Sequence, residues 1–194
     1  DMSRAKDQEY FSDGLAETTL DMLSRVPDLK VISRTSSFAF KGKPMDVREI
    51  GKKLGVAHIL EGSVQQAGDT LRITAQLIRT SDGAHLWSKQ YDRKMVDVFK
   101  IQDEVATEVV NAIQGVLPAA DQQRMLGQST VNVAAYQEYL KGIALLPDRK
   151  VDNLQQAVGH FERAIEIDPS YARAYAMASI ALGLLAEYTA DSPD

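Results

Sequence analysis

The first 126 residues alternate between stretches with helical spacing of hydrophobic residues and stretches with strand spacing. The first helical stretch places five mostly apolar positions on one face: Leu15, Thr19, Met22, Leu23 and Val26. Ser12 or Asp13 can cap the start of this helix, and Pro27 can end it. The following residues, Leu29 to Ser33, have the composition of a short buried strand.

A second, shorter helix is predicted over residues 47–54. Asp46 and Glu49 have the spacing of a capping box, and the apolar residues behind them fall on one stripe: Val47, Ile50 and Leu54. Gly55 stands where a left-handed helix cap belongs. Before this helix, Phe38 and Phe40 alternate as they would in an extended segment, so the pattern predicts an extended connection there.

Three strands and a long helix complete this part of the chain. The strands are predicted at 58–66, 71–80 and 84–91, with tight turns at Ala67–Asp69 and Ser81–Gly83. A helix then follows Asp97 and carries an apolar stripe that Pro118 interrupts: Ile101, Val105, Val109, Ile113 and Val116. The order of elements predicts an α/β domain over residues 1–126, built as two layers with helices on one face of a mixed sheet.

From about residue 130 the pattern is helical throughout and matches the 34-residue tetratricopeptide (TPR) repeat. Gly142 matches the glycine of the first helix of a repeat, and four residues match the second helix: Ala157, Phe161, Ala164 and Pro169. The turn between these helices is about three residues longer than the consensus. A second repeat begins with Tyr175, Ala178, Ser179 and Leu182. Residues 130–194 are therefore predicted to form an all-α TPR segment of about one and a half repeats.

Composition and motifs give no support for catalysis. The chain has no cysteine, which excludes disulfides, thiolate metal sites and a thiol nucleophile. His58, His85 and His160 lack metal-ligand spacing, and there is neither a P-loop nor a nucleophile elbow. A net charge of -5 argues against nucleic acid binding. We therefore predict no catalytic residues, no metal, no cofactor and no nucleic acid partner.

Two sets of residues are candidates for binding. The middle of the chain has 14 basic and 11 acidic residues between positions 29 and 126. Its basic loop, residues 41–53, together with the helix start FSDGL at residues 11–15, could hold a nucleotide or another anion through Lys41, Lys43, Arg48 and Lys52. The alternative is that these lysines are solvated and that FSDGL only caps a helix. The other set, for a protein or peptide partner, comprises four tyrosines on the repeat helices: Tyr136, Tyr139, Tyr171 and Tyr175.

A further alternative concerns the third strand. Trp87 and Tyr91 lie on one face of it with Lys89 between them. They form either a stacking platform for a ring or part of the core beneath the long helix.

Six segments of the first domain resemble the bacterial TolB amino-terminal domain and the FlgO-like domain: EYFSDGLAE, RTSSFAFKGK, DVREIGKKLGVAHILEGSV, LRITAQLI, DGAHLWSKQYDR and IQDEVA. The resemblance implies a non-catalytic sensory or protein-interaction module. Such modules stand beside TPR repeats in membrane-anchored signalling proteins whose other end carries a class III adenylate cyclase domain or a CadC-like winged-helix domain. The same resemblance implies a soluble part of such a protein. The likeness to CadC-like regulators implies the periplasmic side of the membrane, whereas the likeness to the cyclase proteins leaves the side open.

The chain departs from this family in one respect. The family begins with an apolar strand before the segment equivalent to Asp1–Ser3, and this chain starts after it, without an initiator Met. We therefore expect a fragment of a longer protein with an open sheet edge. A neighbouring copy or a flanking segment can pair with such an edge, or residues 1–10 can be partly disordered.

Overall fold

The computed structural model describes residues 9–126, 130 and 132–190. These residues form eight α-helices and three strands. The elements are α1 (Glu9–Ser24), α2 (Arg34–Phe38), α3 (Val47–Leu54), β1 (His58–Ala67), β2 (Thr70–Arg79), β3 (His85–Lys94), α4 (Val98–Gln114), α5 (Ala119–Leu126), α6 (Val133–Leu145), α7 (Val151–Ile167) and α8 (Ala172–Ala190). Mixed α and β structure was predicted and is confirmed. None of the described helices is both long and apolar enough to cross a membrane.

The chain divides into two compact units. Among the described residues, unit 1 holds 15–126, and unit 2 holds 9–14 together with 130 and 132–190. Helix α1 thus contributes residues to both units, although the sequence placed all of residues 1–126 in one domain.

The sheet of unit 1 is antiparallel throughout, in the order β1-β2-β3. The prediction of a mixed sheet is therefore wrong for the described residues. The alternation predicted for β2 is confirmed, because Leu71, Ile73, Ala75 and Leu77 are each at most 5% exposed. Helix α4 lies beside β3, where Lys89 Nζ is 3.4 Å from Glu108 Oε1, and it buries its own apolar stripe.

Two local predictions in unit 1 are wrong. Leu29–Ser33 forms no strand, since none of the described strands pairs with it. The segment after it is the short helix α2 rather than an extended connection. The Arg34 guanidinium lies 4.5 Å from the centre of the Phe38 ring, and Ser37 Oγ donates to the Ser33 carbonyl. Both contacts join residues four apart, which brings them together only when the backbone is helical.

Helix α3 begins and ends where the sequence predicts. Asp46 Oδ1 accepts a hydrogen bond from the Arg48 backbone N–H at 2.8 Å, and Gly55 adopts a left-handed φ of 67°. Helix α4, by contrast, ends at Gln114, whereas its predicted apolar stripe extended to Val116. Val116 therefore lies outside the helix and is 90% exposed.

In unit 2, helices α6 and α7 approach closely at a glycine. A Cβ atom added to Gly142 would lie 2.6 Å from Phe161 Cε1, so only glycine leaves room for the ring. Tyr139 packs against two rings, with centroid distances of 5.9 Å to Phe161 and 5.1 Å to Tyr171. On another side of α6, the Leu140 side chain packs against Gly14 of α1 so closely that a Cβ atom at Gly14 would clash with it. Helix α6 is thus covered by both α7 and the first turns of α1.

Candidate functional site

The exposed side of α8 is a largely apolar surface of unit 2, with the exposed Glu187 near its carboxyl end. Over its 19 residues the helix has only two charged side chains, Arg173 and Glu187. One side packs within unit 2 through Ala174, Ala178 and Ala181, which are at most 9% exposed. A helix that is apolar on more than one side normally has more than one packing partner.

Small residues line the opposite side of α8, and large apolar residues flank them. The exposed small residues follow helical spacing: Ala172, Ala176, Ser179, Gly183 and Ala186. Tyr175 and Leu182 stand on one flank, 49% and 50% exposed, and Ile180 stands on the other at 50%. We call this surface, with its small residues and its three large flanking residues, the α8 face. Small residues let a second helix approach the backbone, as Gly142 does for Phe161 within unit 2.

The four tyrosines predicted to bind a partner are not equivalent in the structure. Tyr136, Tyr139 and Tyr171 are 2%, 9% and 0% exposed, because their rings fill the space between the helices of unit 2. Tyr175 alone among the four is exposed, on the α8 face. The binding role therefore stays a prediction for Tyr175, while the other three are core residues.

The four basic residues predicted to bind an anion differ in their surroundings. Lys41, Lys43 and Lys52 are exposed. The Arg48 guanidinium donates from Nε to Asp46 Oδ1 at 2.9 Å, and this hydrogen bond, followed by that from the Arg48 backbone N–H, lowers the pKa of Asp46 to about 2. Arg48 is thus engaged at the start of α3, and its role in anion binding stays a prediction.

The segment FSDGL does not begin a helix. Residues 11–15 lie inside α1, Phe11 is fully buried, and Ser12 Oγ donates to the Glu9 carbonyl within the same helix. The predicted helix cap at Ser12 or Asp13 is therefore wrong, and the role of FSDGL in anion binding stays a prediction. Cap residues followed by an apolar run suggested a start there, but the same residue types also occur inside α1.

Of the aromatic pair on β3, Tyr91 belongs to the core and Trp87 is half-buried. Tyr91 is 1% exposed, and burial raises the pKa of its hydroxyl. Lys89 Nζ lies 5.1 Å from the centre of the Tyr91 ring and also pairs with Glu104 and Glu108 of α4. This geometry favours the core interpretation over a stacking platform.

A charged cluster that the sequence did not reveal links α6 to α7. The Glu138 carboxylate is 16% exposed and lies 2.6 Å from Lys141 Nζ, 2.8 Å from His160 Nδ1 and 3.0 Å from Arg163 Nε. Burial raises the pKa of Glu138, but hydrogen bonds with these three residues outweigh it and hold the pKa at about 2. The i,i+3 spacing of Glu138 and Lys141 was visible in the sequence, whereas the contacts to α7 depend on packing. Within the described ranges, no group of His, Asp or Glu could hold a metal ion.

Comparison with curated proteins relates the chain to a bacterial protein whose name indicates signal transduction. That protein, from Rhizobium meliloti (strain 1021), is named "Putative adenylate cyclase 3" and is 40% identical over 179 residues. The alignment covers 92% of this chain but 30% of the relative, so the chain spans less than a third of that protein's length. No protein-family model matches the chain.

Proposed function

We propose that this chain is a non-catalytic sensory and protein-interaction module of a larger bacterial signalling protein, of the adenylate cyclase type. The similarity to one segment of a protein with that name, over nearly the whole of this chain, supports the proposal. In this view the catalytic work belongs to a domain outside the present chain. The parent protein is membrane-anchored, this part is periplasmic, and unit 1 is a TolB/FlgO-like domain, as the resemblance of its six segments implies.

Unit 2 acts in this proposal as a TPR segment that binds a protein or peptide helix. The observation that carries the proposal is the α8 face, where small exposed residues lie between Tyr175, Leu182 and Ile180. TPR helices stack so that each covers its neighbour, and grooves between helices bind extended or helical partners. Burying three large apolar side chains, each now about half exposed, would contribute roughly 1 kcal/mol apiece to such a complex.

Two experiments test the proposal. The purified chain is incubated with ATP and Mg²⁺ or Mn²⁺, and cyclic AMP is measured beside an active cyclase as positive control. We expect no product above the protein-free blank, and turnover would refute the non-catalytic assignment.

The second experiment locates the binding surface. A photo-crosslinking amino acid replaces Tyr175 on the α8 face or, as control, the exposed Glu162 of α7 in the protein within its own cells. We expect a discrete adduct from position 175 and none from position 162, and the Ile180→Ser substitution should reduce it. Equal labelling at the two positions would argue against a specific surface.

A further inference from the structure

Strand β1 has a hydrogen-bonding edge that no described strand occupies. Thr80 N donates to the Ala57 carbonyl, and the antiparallel register of β1 with β2 continues from that pair. Because such ladders alternate, odd-numbered residues of β1 bond to β2, whereas even-numbered residues point their N–H and C=O groups the other way. The residues facing the outer edge are therefore His58, Leu60, Gly62, Val64 and Gln66.

The two edge strands of the sheet, β1 and β3, differ in how well they resist pairing with a further strand. The opposite edge strand, β3, ends in three charged residues, Asp92, Arg93 and Lys94, and has an irregular register with β2 between Leu77 and Ile78. Charges and bulges of this kind discourage strand addition. Strand β1 has ten residues with a single acidic or basic side chain, Glu61, apart from His58 at its start, and contains no proline or lysine. Of the two edges of the described sheet, β1 is therefore the one that better accepts a further strand.

The sequence of β1 is complementary to itself about Gly62. When two copies pair antiparallel with Gly62 on the two-fold axis, Leu60 stands opposite Val64 of the other copy and Glu61 stands opposite Ser63. A register centred on Glu61 would place two carboxylates face to face. A register centred on Ser63 would pair Leu60 with Gln66 instead of with an apolar residue. Charge and polarity thus select the register centred on Gly62.

We propose that two copies of this chain associate through their β1 edges, forming one six-stranded antiparallel sheet centred on Gly62. Backbone N–H and C=O groups of the two β1 strands bond to each other in this interface. Val64 of one copy then lies beside Leu60 of the other on the same face of the sheet, which is the buried face. This association involves unit 1 alone and goes beyond the binding role proposed for the α8 face.

Opposite charges at position 63 test the interface. In the proposed register, Ser63→Lys places two ammonium groups opposite the two copies of Glu61, and Ser63→Glu places two carboxylates there. Sedimentation velocity over a concentration series should show a species of twice 21.4 kDa for the unaltered chain. The dimer dissociation constant should fall about tenfold for S63K and rise about tenfold for S63E. A chain that stays monomeric throughout, or equal constants for S63K and S63E, would overturn the proposal.

Because the chain has no cysteine, disulfides between introduced cysteines can report the register of the two β1 strands. Odd-numbered residues form the non-hydrogen-bonded pairs of the new interface, with Cα atoms about 4.5 Å apart, which suits a disulfide. A mixture of E61C and S63C chains should therefore form mixed disulfides on oxidation, whereas S63C alone and Q90C on β3 should not. Efficient cross-linking of S63C alone would refute the register. Exchange-protected amides at Gly62 and Val64 in the monomer would show another segment on this edge and would also refute the proposal.

Discussion

The close approach of α6 and α7 makes Gly142→Ala the most informative single substitution in unit 2. The added methyl group would lie 2.6, 2.8 and 2.9 Å from three carbon atoms of the Phe161 ring. Phe161 is fully buried and packs against Tyr139, so the ring cannot move aside without displacing other core side chains.

Two opposing effects determine how much Gly142→Ala changes the free energy of unfolding. Replacing glycine by alanine inside a helix gains about 1 kcal/mol of helix propensity. Overpacking a well-filled core costs about 1–3 kcal/mol, and three short contacts with a buried ring put this site toward the upper end. The expected net result is a loss of about 1–2 kcal/mol in the free energy of unfolding, or a melting temperature lowered by about 2–8 °C.

The chain supplies its own matched controls. In α7 a Cβ at Gly159 would meet only Arg163 Nη1 at 3.5 Å, and in α8 a Cβ at Gly183 would meet nothing within 4 Å. Gly159→Ala and Gly183→Ala should therefore each raise stability by about 0.5–1 kcal/mol. Urea denaturation followed by far-ultraviolet circular dichroism measures all three changes.

A double-mutant cycle separates the steric cause from other effects. In a Phe161→Leu background the smaller side chain leaves room for the methyl group, so Gly142→Ala should lose most of its cost. The reasoning is refuted if Gly142→Ala stabilises the chain as Gly183→Ala does, or if its cost is the same in the Phe161→Leu background as in the unaltered chain.

Three further predictions concern charged residues. The lowered pKa of Glu138 contributes stability above pH 4.5 that is lost as pH falls toward 2. Glu138→Gln should remove this acid-dependent loss and cost about 1–3 kcal/mol at pH 7, both measured by urea denaturation. Asp46→Ala should lower the melting temperature more than Asp46→Asn, because asparagine keeps an oxygen for the Arg48 N–H; equal values would refute the cap. Since Arg48 is engaged with Asp46, the exposed Lys41 and Lys43 should bind ATP or polyphosphate only weakly in calorimetry at low salt; saturable binding that Lys41→Glu with Lys43→Glu abolishes would favour the anion-binding alternative.

Local structure was predictable where neighbouring residues alone determine it. Helix α3 depends on Asp46 at its start and Gly55 at its end, and both are visible in the sequence. The turn between β1 and β2 likewise depends on Gly68, which has a φ of 58°. Leu29–Ser33 shows the limit of such reasoning, because its apolar composition suits a strand but a strand also needs a neighbour to bond with. None of the described strands provides one.

The candidate sites were harder to predict for a related reason. Tyrosines and basic residues were chosen for what their side chains can do, yet Tyr171 fills a core and the Arg48 guanidinium pairs with Asp46, the residue that caps α3. The surfaces on which the two proposals depend are made instead of residues with little chemistry of their own, such as Ser179 on α8 and Gly62 on β1. Their importance comes from the backbone that they leave accessible and from the absence of bulky or charged side chains. Hydrophobic periodicity tells which residues share a face, but only packing tells whether another element covers that face. The next step for this chain is therefore to identify what binds to α8 and to the outer edge of β1. The Ser63→Lys and Ser63→Glu variants test the edge of β1, and the crosslinker at position 175 tests the α8 face independently.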